Sequence, residues 1–327
     1  MTEIEYSVVI RTTGNAGEKY RALLRSIAGL APAPAEVIVV LPEGYALPTD
    51  QLGYERFCFS PKGMVIQRLA GLKACRTPYA LVCDDDVAFP SDFVEKLYAP
   101  VRELGAAFSA APLYSFLPDP GKEALLNLLM AKAAPTLLHR KDRYVSVLRS
   151  TGYSYNRHLD RSRMRFYETQ SAAWTCFFAD VRAFEKIEFN REIWLDAHGY
   201  SALDDQTMFY KAWRMGYKTI VVSNASYEHL DAGTSKRNNR PAAIYSGTFN
   251  RVVFWHRFVF LGQKTPAGRL LSRAAFGYCM FWHFAWIRSK VLRGRMTKED
   301  YALCRKGFTD GKEYLKSKEY RELPPVR

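Results

Sequence analysis

Apolar positions in the first ninety residues follow two alternating periods. The β-branched run Tyr6-Ser-Val-Val-Ile-Arg-Thr-Thr13 ends in the polar turn Gly14-Asn-Ala-Gly17. Tyr20, Leu23, Leu24, Ile27 and Leu30 then recur with the one-face spacing of a helix. Pro32 and Pro34 close that helix, and Glu36-Val-Ile-Val-Val-Leu41 reads as a buried strand. This succession predicts a βαβ unit, hence a parallel sheet with a right-handed crossover. A short strand over 54–59 and a helix over Met64–Ala74 follow, the helix carrying Val65, Leu69 and Leu72 on one side. The strand 79–83 runs straight into Asp84-Asp85-Asp86, and Pro90-Ser91 opens the next helix.

Residues 112–170 are poorly periodic and read as substrate-facing structure, with a helical stretch over 125–133. Residues 171–178 return to strand composition, and Asp180 opens a short helix. Farther on, Met208, Phe209, Ala212 and Met215 form an apolar stripe. Ser201 with Asp204 is the expected cap, Gly216 the stop, and Lys218-Thr-Ile-Val-Val222 the next strand. Asp204 and Asp205 thus fall at a helix N-terminus, where the dipole favours carboxylates. Taken alone, such a pair is read as a cap.

Composition changes the picture at the other end of the chain. With 327 residues, 48% hydrophobic and 24% charged, the chain is long enough for a proper core and is not disordered. Residues 1–231 hold 27 Lys+Arg against 27 Asp+Glu, so the whole excess of +14 lies in 232–327. There, from Tyr245 onward, basic and aromatic residues interleave through Phe249, Arg251, Trp255, Arg257 and on to Trp286. The charge-free stretch 274–287 is 14 residues, short of the roughly 20 a membrane span needs. A lipid interface with Phe276, Trp282, Phe284 and Trp286 dipping into it is one reading; helices packed on the preceding domain is the other. No nucleic-acid motif accompanies the charge, so no nucleic acid is expected. Six cysteines without a CxxC pair argue against a zinc site or disulfide scaffold, and no signal peptide is expected before Tyr6.

The acidic triplet carries the first chemistry. Ligands of open α/β sheets bind beyond the carboxyl ends of the strands. Three carboxylates there repel unless a cation joins them, and the alternate pair Asp84 and Asp86 is suited to a divalent ion gripping a diphosphate. A solvated acidic turn is the plain alternative.

These pieces resemble family 2 glycosyltransferases. The likeness rests on Ser7-Val-Val-Ile-Arg-Thr-Thr-Gly-Asn15, Glu36-Val-Ile-Val-Val40, Lys62-Gly63, Gln67-Arg68-Leu-Ala-Gly71 and Asp84-Asp-Asp86. A second patch, Gly199-Tyr-Ser-Ala-Leu-Asp-Asp205 with the following Arg214-Met-Gly-Tyr-Lys218, resembles the family's Glu-Asp motif with Asp204 in the Glu position. The resemblance implies the GT-A fold: an α/β, Rossmann-like nucleotide-sugar-binding mixed sheet flanked by helices. Here it would carry a basic, aromatic helical C-terminal extension. The implied division is a catalytic domain over 1–235, with a nucleotide-sugar half 1–111 and an acceptor half 112–235, then an extension over 236–327.

By the same resemblance, Asp84 and Asp86 would hold Mg²⁺ or Mn²⁺, with His229 an additional ligand. Thr12, Glu43, Arg68, Asp84 and Asp85 would contact the donor. Asp205 would be the general base and Asp204 its neighbour, giving single displacement with inversion. Where many members have an acidic Asp-Asp-Gly-Ser turn, this chain has Leu41-Pro-Glu-Gly44, which leaves the donor base open. The implied partners are a nucleotide-diphosphate sugar, a glycan or lipid-linked glycan acceptor, and an anionic membrane surface. The implied location is the inner face of the cytoplasmic membrane. By their own composition, residues 233–240 read either as a basic loop closing over the diphosphate or as a solvated basic loop. A nucleotidyltransferase, or a non-catalytic scaffold of this fold, is the competing class.

Overall fold

The β-branched runs pair as their spacing predicts. In a computed structural model, β1 (Tyr6–Arg11) lies between β2 (Glu36–Pro42) and β4 (Tyr79–Asp84), parallel to both. β3 (Arg56–Ser60) extends the parallel run beyond β2. The structure describes residues 4–112, 122–132, 142–156, 159–230 and 239–326. The expected basic loop lies outside the described residues up to position 238.

Beyond β4 the sheet departs from the parallel expectation. β10 (Cys176–Asp180) runs antiparallel to β4 and to β6 (Phe108–Ala110). β11 (Thr219–Val222) returns parallel to β6, and β9 (Phe166–Glu168) closes the edge antiparallel to β11. The order is β3-β2-β1-β4-β10-β6-β11-β9, a mixed sheet. Hydrophobicity alone does not encode this reversal, because a strand buried on both faces reads alike in either direction.

Both faces are covered. Val8 and Ile10 face α1 (Glu18–Ala28) and α3 (Phe93–Leu104), in one core with Leu23, Ile27, Phe93 and Leu97. Val9 and Val40 face α2 (Met64–Ala74), in a second core with Val65 and Leu72. α2 approaches the sheet closely at Gly71, where a Cβ would stand 2.3 Å from Val9.

The stretch 112–170 contains a short helix α4 (Lys122–Leu129) and the hairpin β7 (Val145–Val147) with β8 (Ser154–Asn156). After β10 come α5 (Val181–Lys186), a 3₁₀ segment Phe189–Asp196, and α6 (Asp204–Arg214). Two local expectations change here. Ser201 does not cap α6; its hydroxyl bonds Asp196, and Leu203 takes the cap position with φ of 69°. Met215 leaves the apolar stripe for solvent, because it lies past the last helical turn.

The C-terminal region is helical: α7 (Arg240–Phe254), a π-helical turn Trp255–Phe260, α8 (Pro266–Leu292), α9 (Lys298–Tyr314) and α10 (Lys318–Glu322). Phe249, Val252, Phe254, Phe258 and Phe276 enter the same core as Val9 and Val65. A buried ion cluster reinforces the join. Glu192, fully buried, receives Lys211 Nζ at 2.9 Å and two Arg257 guanidinium bonds at 2.8 Å. Phe276 therefore does not face outward; it stacks on Trp255 with ring centres 4.2 Å apart. Phe284 packs edge-on against Phe308, and Trp286 lies beneath Lys290 and Arg293.

Candidate active site

The site forms where β1 and β4 end side by side, with Arg11 paired to Asp84 across the ladder. Asp84 is buried, and its Oδ1 accepts Arg11 Nε at 3.0 Å and an Arg68 guanidinium N–H at 2.6 Å. Burial alone would push this carboxyl up, but the Arg11 and Arg68 charges outweigh it and hold Asp84 below the usual range. Thr12, also buried, donates its hydroxyl to Asp85 at 2.5 Å and accepts the Gly14 N–H. Desolvation raises Asp85 to about 6, with Asp86 and Asp84 adding to the rise and Arg11 and Thr12 opposing it.

The chain then turns back through β5 (Val87–Ala88), which pairs antiparallel with β12 (Glu228–His229). That two-stranded ribbon sets His229 Nε2 3.2 Å from Asp86 Oδ2. Asp86 Oδ1 is buried without a hydrogen-bond partner among the described residues. An orphaned carboxylate oxygen beside an imidazole nitrogen is a donor set that fits a divalent cation, Mn²⁺ better than Mg²⁺. Among the described residues no group of three such ligands comes together, so the remaining positions would fall to water or substrate oxygens.

Arg68 joins this cluster to the second acidic pair. It is 1% exposed, donates to Met64 O, and reaches Asp204 Oδ2 at 3.3 Å. Its guanidinium lies 4.6 Å from the ring centre of Trp174. Asp204 and Asp205 are the first two residues of α6, as the sequence predicts. Asp204 Oδ1 accepts the Asp205 N–H at 2.9 Å, and Asp205 Oδ1 accepts the Gln206 N–H. Desolvation pushes Asp204 up to about 7, with Asp205 adding to the rise and Arg68 opposing it. Desolvation raises Asp205 as well, against the pull of the Gln206 N–H and the Arg251 charge. A carboxyl tuned toward neutrality is suited to take a proton from a hydroxyl.

Glu43 stands apart from this cluster. It is exposed in the turn after β2, anchored by its N–H to Ser60 O at 2.8 Å.

Several supporting residues carry no sequence signal of their own. Arg11 lies next to Thr12 but pairs with Asp84 only through strand register. Gln67 donates to Thr12 O and Val40 O, fixing the ends of β1 and β2 against α2. Asp196 accepts the N–H groups of Val65 and Ile66 at 2.9–3.1 Å, capping α2 from the other half of the molecule. Gly63 makes room for that carboxylate, which a Cβ would meet at 2.4 Å.

Residues 56–188, which include Arg68 and the Asp84–Asp86 triplet, match the model of glycosyl transferase family 2. This part of the chain carries the family 2 glycosyltransferase pattern. Asp204, Asp205 and His229 lie beyond the matched span. The chain's fold recurs in S. aureus TarS 1–349 in complex with UDP-GlcNAc, with a TM-score of 0.51 and 14% identity over 94% of this chain and 80% of that one. It recurs too in GalNAc-T7 with UDP, GalNAc and Mn²⁺, with a TM-score of 0.53 and 13% identity over 85% of this chain and 56% of that one. At such identities the likeness is one of fold. No curated protein matches the chain in sequence.

Proposed function

We propose that the protein moves a sugar, with inversion, from a nucleotide-diphosphate sugar to a hydroxyl of a glycan or lipid-linked glycan. The observation that carries this reading is the span of Arg68. One guanidinium touches both Asp84, at the strand end, and Asp204, beside the proposed base. Donor and acceptor chemistry thus share one wall.

Asp86 and His229 would hold the Mg²⁺ or Mn²⁺. When bound, that ion would neutralise charge developing on the leaving diphosphate. Asp84, occupied by Arg11 and Arg68, positions those arginines rather than reaching the ion by itself. Asp85, Thr12 and Glu43 border the carboxyl ends of β1, β2 and β4, where the nucleoside would lie. UDP in the two fold neighbours makes uridine the first base to try. Asp205 accepts the proton of the incoming hydroxyl, and Asp204 keeps Asp205 ordered through its N–H.

The acceptor is proposed to sit at the inner face of the cytoplasmic membrane, with α8 as the docking element. No helix among the described residues is long and apolar enough to cross a membrane. Yet Leu271, Tyr278, Phe281, Trp282 and Leu292 recur on one exposed face of α8, Leu271 at 67% and Leu292 at 81% exposure. Arg288, Lys290 and Arg293 interleave with that face near its end. Such a helix lies in an interface rather than across it.

Thermal shift against a panel of nucleotide sugars tests the donor assignment. At least one donor should raise the melting temperature with Mn²⁺ present, through preferential binding to the folded state. The rise should disappear with chelator and in Asp86→Ala. A shift that survives both would remove the metal from donor binding.

A further inference from the structure

The proposed base has cationic neighbours that the reading above leaves unused. Gly152 O accepts Gln206 Nε2 at 2.8 Å and an Arg251 guanidinium N–H at 3.1 Å. Arg251 is therefore one carbonyl away from the residue that follows Asp205. Its guanidinium carbon stands 4.1 Å from the ring centre of Tyr153, and Lys132 Nζ stands 5.7 Å from the same ring. On α8, His283 and Lys290 lie seven residues apart, on one face of the helix.

These groups also feel one another. Burial first, and then the Lys132, Arg251 and Lys290 charges, hold His283 down to about 3. Burial, with Arg251 and Lys290, likewise lowers Lys132. None of the ion pairs among the described residues includes Lys132, Arg251 or Lys290. All three are half-buried. Two like charges beside one ring, neither paired with a carboxylate among the described residues, oppose folding until an anion joins them. A planar guanidinium beside a compact ammonium suits a tetrahedral oxyanion, the first by a fork of N–H groups and the second as a point charge.

We propose that Arg251 and Lys132 bind a phosphoryl group on the acceptor, so that the enzyme glycosylates a phosphate-bearing acceptor. The inference rests on the transferase reading, and it adds the acceptor's charge. A phosphoryl group held on Arg251 brings a neighbouring hydroxyl of the same acceptor toward Asp205. The donor's diphosphate belongs to the Asp86 and His229 side of Arg68, so two phosphate sites are expected on one enzyme.

Calorimetric titration of glycerol phosphate, with glycerol as the neutral control, tests this on the full chain with and without UDP and Mn²⁺. Glycerol phosphate should bind to the UDP-loaded enzyme, more weakly as salt rises, while glycerol should not bind. Lys132→Met and Arg251→Met should each lower the affinity about 10-fold or more, and Arg251→Lys should restore part of it. The thermal shift given by UDP with Mn²⁺ should persist in all three variants, which also shows that they fold. Equal binding of glycerol and glycerol phosphate, or undiminished binding in both Met variants, would overturn the phosphate site. A wild-type enzyme that binds glycerol phosphate but shows no UDP shift would instead defeat the donor reading. Tighter binding of dodecyl phosphate than of glycerol phosphate, lost in the same variants, would support the site and assign its phosphate to a lipid-linked acceptor.

Discussion

Arg68 shows how much a single residue organises here. Its partners Asp84 and Asp204 lie 16 and 136 positions away, and neither pairing is visible in the chain's periodicity. The acidic residues themselves were legible, because one group ends a strand and the other begins a helix. Arg11, Trp174 and Asp196 were not, since each acts through a contact between distant segments. The Asp204–Asp205 pair yields a pH prediction. A base acts as the carboxylate, and burial raises Asp205, so transfer should begin to fall at a pH above the ordinary carboxylate range. The sign for stability is opposite. A carboxyl raised from 3.8 to about 7 on folding favours the folded state at low pH, and that benefit is lost as pH rises through 7. Asp204→Asn should therefore raise the melting temperature at pH 8 and leave it nearly unchanged at pH 4. Equal shifts at both pH values would show that Asp204 is not held near neutrality by burial.

At the scale of elements, the first four strands and two helices follow from alternating periods, and their bounds shift by only a few residues. The antiparallel entry of β10 and the ribbon of β5 with β12 do not follow, because short buried runs do not record their partners. That ribbon is what delivers His229 to Asp86. The join between α6, the 3₁₀ segment and the π-helical turn was equally hidden, since Glu192, Lys211 and Arg257 read as ordinary surface charges. Removing Arg257 would leave Glu192 with one counter-charge in a dry core. Arg257→Ala should cost about 3–5 kcal/mol of stability, read by urea unfolding. A loss under 1 kcal/mol would mean that solvent reaches the cluster. Gly71→Ala should also destabilise, because its new methyl meets Val9 on the sheet.

Across the whole molecule, charge and exposed apolar surface coincide at the C-terminal end. The sequence located the charge correctly but not the face that presents it. Phe276 proved internal, whereas Leu271, Phe281 and Leu292 are outside. Full-length protein should co-sediment with anionic vesicles, and Leu271→Ser with Phe281→Ser should weaken that binding more than salt does. Equal recovery on neutral and anionic vesicles would dismiss electrostatic docking. Asp205 is proposed as the base beside a donor held through Asp86 and His229. Its most direct test is nucleoside-diphosphate release from a panel of nucleotide sugars with Mn²⁺, wild type against Asp205→Asn, in the presence of a phosphate-bearing sugar acceptor. Metal-dependent release by the wild type is expected, with a loss of about 100-fold or more in the variant and the donor thermal shift intact. Near-normal release by Asp205→Asn would contradict it.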